Sequence, residues 1–226
     1  MSIAIRAAIK LLIGIFIFVG LPLVGWGVKD LRDFMSEAAR PGYAVIVVLL
    51  QIFIVIRLPE VGSNRGKGKK IIPRQRLAVL LLQVLSLAII IAAPYCDRRN
   101  IAVLDEIEIV RYFGLVLFTL GFIGMTWAEE SLGKQFSVQV AIQDSHKLVT
   151  EGPYRYLRHP RYLGIMLFTI GISMVFRSWL ALFLVAALIV VLIWRIHDEE
   201  TLMHQEFDTD WEAYCQRSWR LIPFVY

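Results

Sequence analysis

Charged side chains are scarce in this chain. Asp, Glu, Lys and Arg make up only 19% of its 226 residues, too few to coat a water-soluble globule of that size. Cysteine is scarcer still: Cys96 and Cys215 are the whole supply, which excludes a disulfide framework and a cysteine-rich metal site. The topology argued below puts them on opposite faces of a bilayer, so both are expected as free thiols. The four histidines, His146, His159, His197 and His204, form no tight ligand spacing, and no metal site is expected. A Gly-x-Gly-x-x-Gly run is also missing, and with it the dinucleotide fingerprint of a Rossmann domain. What the chain has in excess is apolar side chains, at 58% of residues with a mean hydropathy of +0.63. They come in long uninterrupted blocks instead of alternating at helical or strand period, as expected for an integral membrane protein. The net charge of +5 and pI near 9.3 come from basic residues in the short connections between these blocks. There they suit anionic lipid headgroups, and no nucleic-acid partner is expected.

A spanning helix needs roughly 20 apolar residues to cross ~30 Å of hydrocarbon. Leu11 to Val28 and Leu77 to Tyr95 contain no charge, and Tyr112 to Ala128 adds Gly114, Gly121 and Gly124, which permit close helix contact. Tyr43 to Leu58 is a shorter span ending at Arg57, whose side chain can snorkel to the headgroups. Tyr162 to Trp194 is too long for one crossing, and its only charge, Arg177, lies near its middle. A turn at Phe176-Arg177-Ser178 makes it a helical hairpin and moves the guanidinium to the far interface. The expected fold is therefore all-α: a polytopic membrane protein of about six transmembrane helices with a C-terminal hairpin. Arg6 and Lys10 precede the first apolar run in the manner of a signal peptide, but its length and the lack of a nearby cleavage pattern favour a retained helix.

Orientation follows from the basic residues. The connection from Pro59 to Arg76 holds Arg65, Lys67, Lys69, Lys70, Arg74 and Arg76, and the connection from Glu129 to Arg161 holds Lys134, Lys147, Arg155, Arg158 and Arg161. Both should be cytoplasmic, together with the two termini. The connections Lys29 to Gly42 and Cys96 to Arg111 carry three basic residues each, balanced by acids, and suit the opposite side.

Most polar residues that could build a site flank the hairpin. Its arms begin and end on one side, so the approach Gly152 to Gly164 must lie close to the exit Arg195-Ile-His-Asp-Glu-Glu200. Arg195 and Glu199 are four apart on one helix face, and Leu202, Phe207, Trp211 and Tyr214 give the continuing helix an apolar stripe. Pro160 suits a first helical turn, whose amides and positive dipole favour an anion, while Tyr154, His159 and Tyr162 offer donors and stacking faces. The same residues would also serve as a solvated ion pair and an interfacial belt of basic and aromatic anchors.

The motifs His146-Lys-Leu-Val-Thr150, Gly152-Pro-Tyr154 and Arg158-His-Pro-x-Tyr162-x-Gly164, followed by a hairpin, Glu199-Glu200, Phe207 and Tyr214, resemble the isoprenylcysteine carboxyl methyltransferase family. The resemblance covers about the last hundred residues, and part of it is shared with membrane phospholipid methyltransferases. It implies S-adenosyl-L-methionine as cofactor, in a cytoplasmic pocket contacted by Gln139, His146, Lys147, Leu148, Val149, Tyr154, His159, Pro160, Arg161, Tyr162 and Glu199. Arg161 occupies a variable motif position, so only its backbone is expected to take part. Arg195 matches the position associated with the acceptor and is the expected catalytic residue. The implied acceptor is the carboxylate of a prenylated cysteine or a similar lipid. On this reading residues 1–128 are transmembrane helices, and residues 129–226 form a methyltransferase region containing the hairpin 162–194.

Other acceptors could use the same cofactor. A phospholipid amine or a thiol would need deprotonation, for which His197 or His204 is near. A nicotinamide-dependent membrane reductase usually has more helices than the six counted here, and a non-catalytic lipid-binding protein would leave Tyr154, His159 and Glu199 dispensable. The terminal Pro223-Phe-Val-Tyr226 lacks the cysteine of a prenylation box, so the chain is expected to act on lipidated acceptors without being one.

Overall fold

The computed structural model describes residues 3–57, 70–71, 75–105, 108–133, 141–142 and 148–225. Among them, five helical stretches are long and apolar enough to cross a membrane: Ile5–Trp26, Ala39–Ile56, Gln75–Arg99, Glu108–Leu132 and Trp179–Arg217, with Pro160–Val175 a shorter sixth. The first is compound. It comprises α1 (Ile3–Ile15), a π-helical turn (Phe16–Gly20) and α2 (Leu21–Trp26), ending at Gly27 with φ +116°. Pro22 explains the interruption: it has no N–H for the Phe18 carbonyl, and its ring crowds that carbonyl. The wider turn absorbs the misfit, and the Leu21 amide bonds the Phe16 carbonyl five residues back.

A short α3 (Leu31–Phe34) leads to α4 (Ala39–Arg57), which begins a turn earlier than the apolar run at Tyr43. Arg40 can enter the helix because its charge is matched: its Nε donates to Asp97 at 3.2 Å and its guanidinium lies 4.3 Å from the Trp26 ring. The snorkelling expected of Arg57 concerns a side chain outside the described ones. α5 (Gln75–Arg99) and α6 (Glu108–Leu132) also run past the hydrophobic limits read from sequence. Hydropathy marks the hydrocarbon crossing, whereas a helix goes on while its backbone hydrogen bonds are satisfied. Most of the basic cluster from 59 to 76 lies outside the described residues. Its β1 (Lys70–Ile71) pairs antiparallel with β2 (Ala141–Ile142), which brings the two most basic connections together at one end of the bundle.

The hairpin forms where a central charge required it. α7 (Pro160–Val175) and α8 (Trp179–Arg217) flank the turn at Arg177, whose φ is +48°, and the Ser178 side chain caps α8 by accepting from the Ala181 amide. Arg177 lies in the turn between the two arms, as expected, and its charge is matched inside the protein. It is 3% exposed, and its Nε and Nη2 donate to Asp97 at 3.1 Å each. Arg111 donates to both oxygens of the same carboxylate, at 2.8 and 2.9 Å. Asp97 thus ties α4, α6 and the hairpin turn to α5, with all partners sharing buried charge.

α6 and α7 pack backbone to backbone. A Cβ added to Gly121 would sit 2.6 Å from the Gly164 carbonyl oxygen, and one added to Gly114 would sit 2.6 Å from the Val175 nitrogen. Gly171 and Gly164 are equally crowded from the α7 side, whereas Gly124 has nothing within 4 Å and takes no part in the contact expected of it. Cys96 is buried at the far end of α5 and Cys215 is half-buried near the end of α8, both as free thiols.

Candidate functional site

The end of the bundle opposite Asp97 gathers the sequence motifs. The 3₁₀ turn Gly152–Arg155 carries Tyr154, buried to 8% exposure, and leads to His159 and Pro160 at the start of α7. Tyr162 lies on the first turn of α7, and Arg195 and Glu199 on the facing stretch of α8.

Tyr162 is the hinge of the arrangement. The Arg195 Nε donates to its hydroxyl at 2.6 Å, and that hydroxyl donates to Glu199 Oε1 at 2.5 Å. Arg195 and Glu199 also approach directly, at 3.4 Å, so the i,i+4 pair read from the sequence is present with a phenol inserted beside it. Arg195 is 3% exposed, unlike a solvated ion pair closing a membrane helix. His159 stacks on Tyr162 with ring centroids 5.5 Å apart and planes at 11°. Its Nδ1 lies 3.5 Å from Glu199 and its Nε2 lies 3.3 Å from Glu200. Burial alone would lower the imidazole pKa, but its hydrogen bonds to Glu199 and Glu200 and their charges outweigh it, and His159 titrates above its ordinary value. Burial pushes the Tyr154 phenol well above its usual value, and the Glu199 charge adds to the effect.

The start of α7 offers fewer amides than its position suggested. Pro160 has none, and the Tyr162 and Leu163 amides turn back to the His159 carbonyl. The Arg158 and His159 amides donate to the carbonyls of Trp219 and Arg220. The tail therefore occupies this edge, held by three side chains of the motifs and by Arg220, which the sequence did not single out. Arg158 Nε donates to Glu200 at 2.9 Å and its Nη1 to the Ser218 carbonyl at 2.6 Å. Arg220 reaches Glu200 at 2.7 Å, and the Tyr214 hydroxyl donates to the Tyr154 carbonyl at 2.6 Å. Glu200 and Tyr214 were visible as parts of a motif; nothing in the spacing signalled Arg220. Leu148 and Val149 are half-buried just before the 3₁₀ turn, while Gln139, His146 and Lys147 lie outside the described residues. His197 is exposed, and His204 is an exposed residue paired with Glu212 at 3.2 Å.

Beside this cluster a cavity of about 510 Å³ runs into the bundle. Arg161, Tyr162 and Arg195 line its polar end, and aliphatic and aromatic side chains line most of the rest, among them Phe18, Leu82, Ile90, Ile165 and Phe168. The Arg161 guanidinium is steadied by Glu129 at 2.8 Å. Arg195 and Tyr162 belong to both halves, facing the cavity while bonded into the carboxylate cluster.

Residues 114–205 match the model of the isoprenylcysteine carboxyl methyltransferase (ICMT) family. The chain is 30% identical over 157 residues to protein-S-isoprenylcysteine O-methyltransferase B of Arabidopsis thaliana, covering 61% of this chain and 78% of the relative. It is 25% identical over 165 residues to a probable protein-S-isoprenylcysteine O-methyltransferase of Oryza sativa subsp. indica, covering 70% of this chain and 84% of that one. In fold it resembles the solved eukaryotic intramembrane Ras methyltransferase ICMT, with a TM-score of 0.55 and 21% identity over 98% of this chain and 76% of the other. With its hairpin, its paired motifs and a relative of this identity and coverage, the chain belongs to the isoprenylcysteine carboxyl methyltransferase family.

Proposed function

We propose that the protein is a membrane methyltransferase that uses S-adenosyl-L-methionine to esterify the carboxylate of a prenylated cysteine. One observation carries this reading: Arg195 stands at the junction of an apolar cavity and a half-buried carboxylate cluster. A lipid whose single anionic end meets Arg195, with a cationic cofactor against Glu199, satisfies both. The sequence motifs assign cofactor binding to Gln139, His146, Lys147, Leu148, Val149, Tyr154, His159, Pro160, Arg161, Tyr162 and Glu199. The donor set suits a zwitterionic nucleoside, since Glu199 can pair with an ammonium or sulfonium and Tyr154 offers a stacking ring. The cofactor supplies an electrophilic methyl group when bound.

The side chains present orient and exclude. Tyr162 tethers the Arg195 Nε, and the guanidinium so held lines the cavity, where it can align an incoming carboxylate. The apolar walls keep water from the reacting end. A carboxylate acceptor is already ionised and needs no base. This distinguishes it from an amine or thiol, which must first lose a proton. The basic connections at this end favour the cytoplasmic side for it. Residues 129–226 carry the chemistry, while residues 1–128 supply membrane helices and part of the cavity wall.

Purified protein incubated with methyl-labelled cofactor and a panel of prenyl-cysteine, phospholipid and thiol acceptors tests the assignment. Base-labile label on prenyl-cysteine is the expected result. Label on phospholipid or thiol, or on none, would overturn it.

A further inference from the structure

The cavity does not cross the bundle. Measured along α7 from Arg161 at its polar end to Thr169 at its deep end, it extends about 12 Å at the helical rise. Along α5 the lining runs from Val79 to Ile90, about 16 Å at the same rise, or about half of a ~30 Å hydrocarbon layer. Something must stop it, and the stop is aromatic. Phe18 meets Phe168 edge to face, with centroids 5.4 Å apart and planes at 87°, and both rings line the cavity, with Ile90 alongside.

The two rings are held differently. Phe168 is packed against Phe118 at 4.8 Å and Phe122 at 6.2 Å, deep in the aromatic core, and cannot yield without disturbing α6. Phe18 is half-buried and sits on the π-helical turn Phe16–Gly20 that Pro22 imposes. The turn rotates this stretch away from regular helical register and presents Ile17 and Phe18 to the cavity. Phe18 also lies outside residues 114–205, the part matched to the family.

We propose that Phe18, presented by the π-helical turn and backed by Phe168, is the specificity-determining residue that sets the length of prenyl chain the protein accepts. The inference rests on the reading of the cavity as the prenyl site. A chain short enough to end before the Phe18–Phe168 pair lets the carboxylate reach Arg195. A longer one meets the rings and holds its carboxylate away, a penalty that falls on productive binding.

Two substitutions of opposite sense test it, with geranyl, farnesyl and geranylgeranyl cysteine analogues as acceptors. Phe18→Ala is expected to raise kcat/KM for the longest chain relative to the shortest by ~10-fold or more, and Phe18→Trp to lower the same ratio by a similar factor, in line with the 10–200-fold effect of a methylene in an apolar pocket. Ratios that stay within about twofold in both variants would overturn the proposal, as would equal losses for all chains. Photolabelling of the wild-type protein with a prenyl-cysteine analogue bearing a diazirine at its chain end needs binding alone. Label at Phe18, Ile90 or Phe168 supports the gauge, and label confined to bilayer-facing positions contradicts it. Failure of the wild type to methylate any prenyl-cysteine would instead sink the proposed activity, while the photolabel still decides the gauge.

Discussion

His159 is the residue whose environment departs furthest from what its sequence position suggests. Both ring nitrogens face carboxylates, Glu199 and Glu200, and Arg158 bonds Glu200 from the other side. Its folded pKa is raised, so protonated His159 stabilises the fold fully below its ordinary value of 6.5, and this contribution is lost as pH rises through the higher folded value. Thermal melting of the wild type and of His159→Gln in detergent should therefore show the largest Tm difference near about pH 6, shrinking toward about pH 9. A difference that grows with pH would contradict the assignment. The sequence made the Arg195–Glu199 pair legible, because i,i+4 spacing is a local rule. It could not show Tyr162 inserted beside them, because that depends on how α7 and α8 are rotated about their axes.

Among the elements, the hairpin was the most legible and the first helix the least. A charge at the centre of an over-long apolar run has few tolerable outcomes, and the turn at Arg177 is one of them. The π-helical turn was not visible because Pro22 can be absorbed by a kink, a break or a widened turn, and hydropathy is blind to the choice. Glycine showed the same split. Gly114 and Gly121 meet α7 as expected and Gly124 does not, since composition names small residues without saying which face they share. Gly121→Val is accordingly expected to cost about 1–3 kcal/mol by overpacking, whereas Gly124→Val should leave stability within about 0.5 kcal/mol. Melting temperatures of the two variants compared side by side check this, and equal losses would show that the α6–α7 contact is misassigned.

Over the whole molecule the two ends of the bundle are specialised. One is locked by Asp97, which accepts from Arg40, Arg111 and Arg177; the other brings distant motifs together around Tyr162. Asp97→Asn leaves three buried guanidiniums without their shared carboxylate and should destabilise the fold by about 3–5 kcal/mol, seen as a lower Tm and loss of monodisperse protein on size exclusion. An unchanged Tm would remove Asp97 from its structural role. Charge counting could place Arg40, Asp97, Arg111 and Arg177 at one end of the molecule, but only the packed helices show that one carboxylate serves all three cations. The opposite end carries the claim on which the function depends: His159 and Tyr162 from one arm of the hairpin and Glu199 from the other bind one cofactor. Calorimetric titration of S-adenosyl-L-methionine into purified wild type and Glu199→Gln tests it most directly. The account predicts binding by the wild type and an affinity lower by about 10-fold or more in the variant, the loss of one charge-assisted partner. Equal affinities, or no binding by either protein, would contradict it.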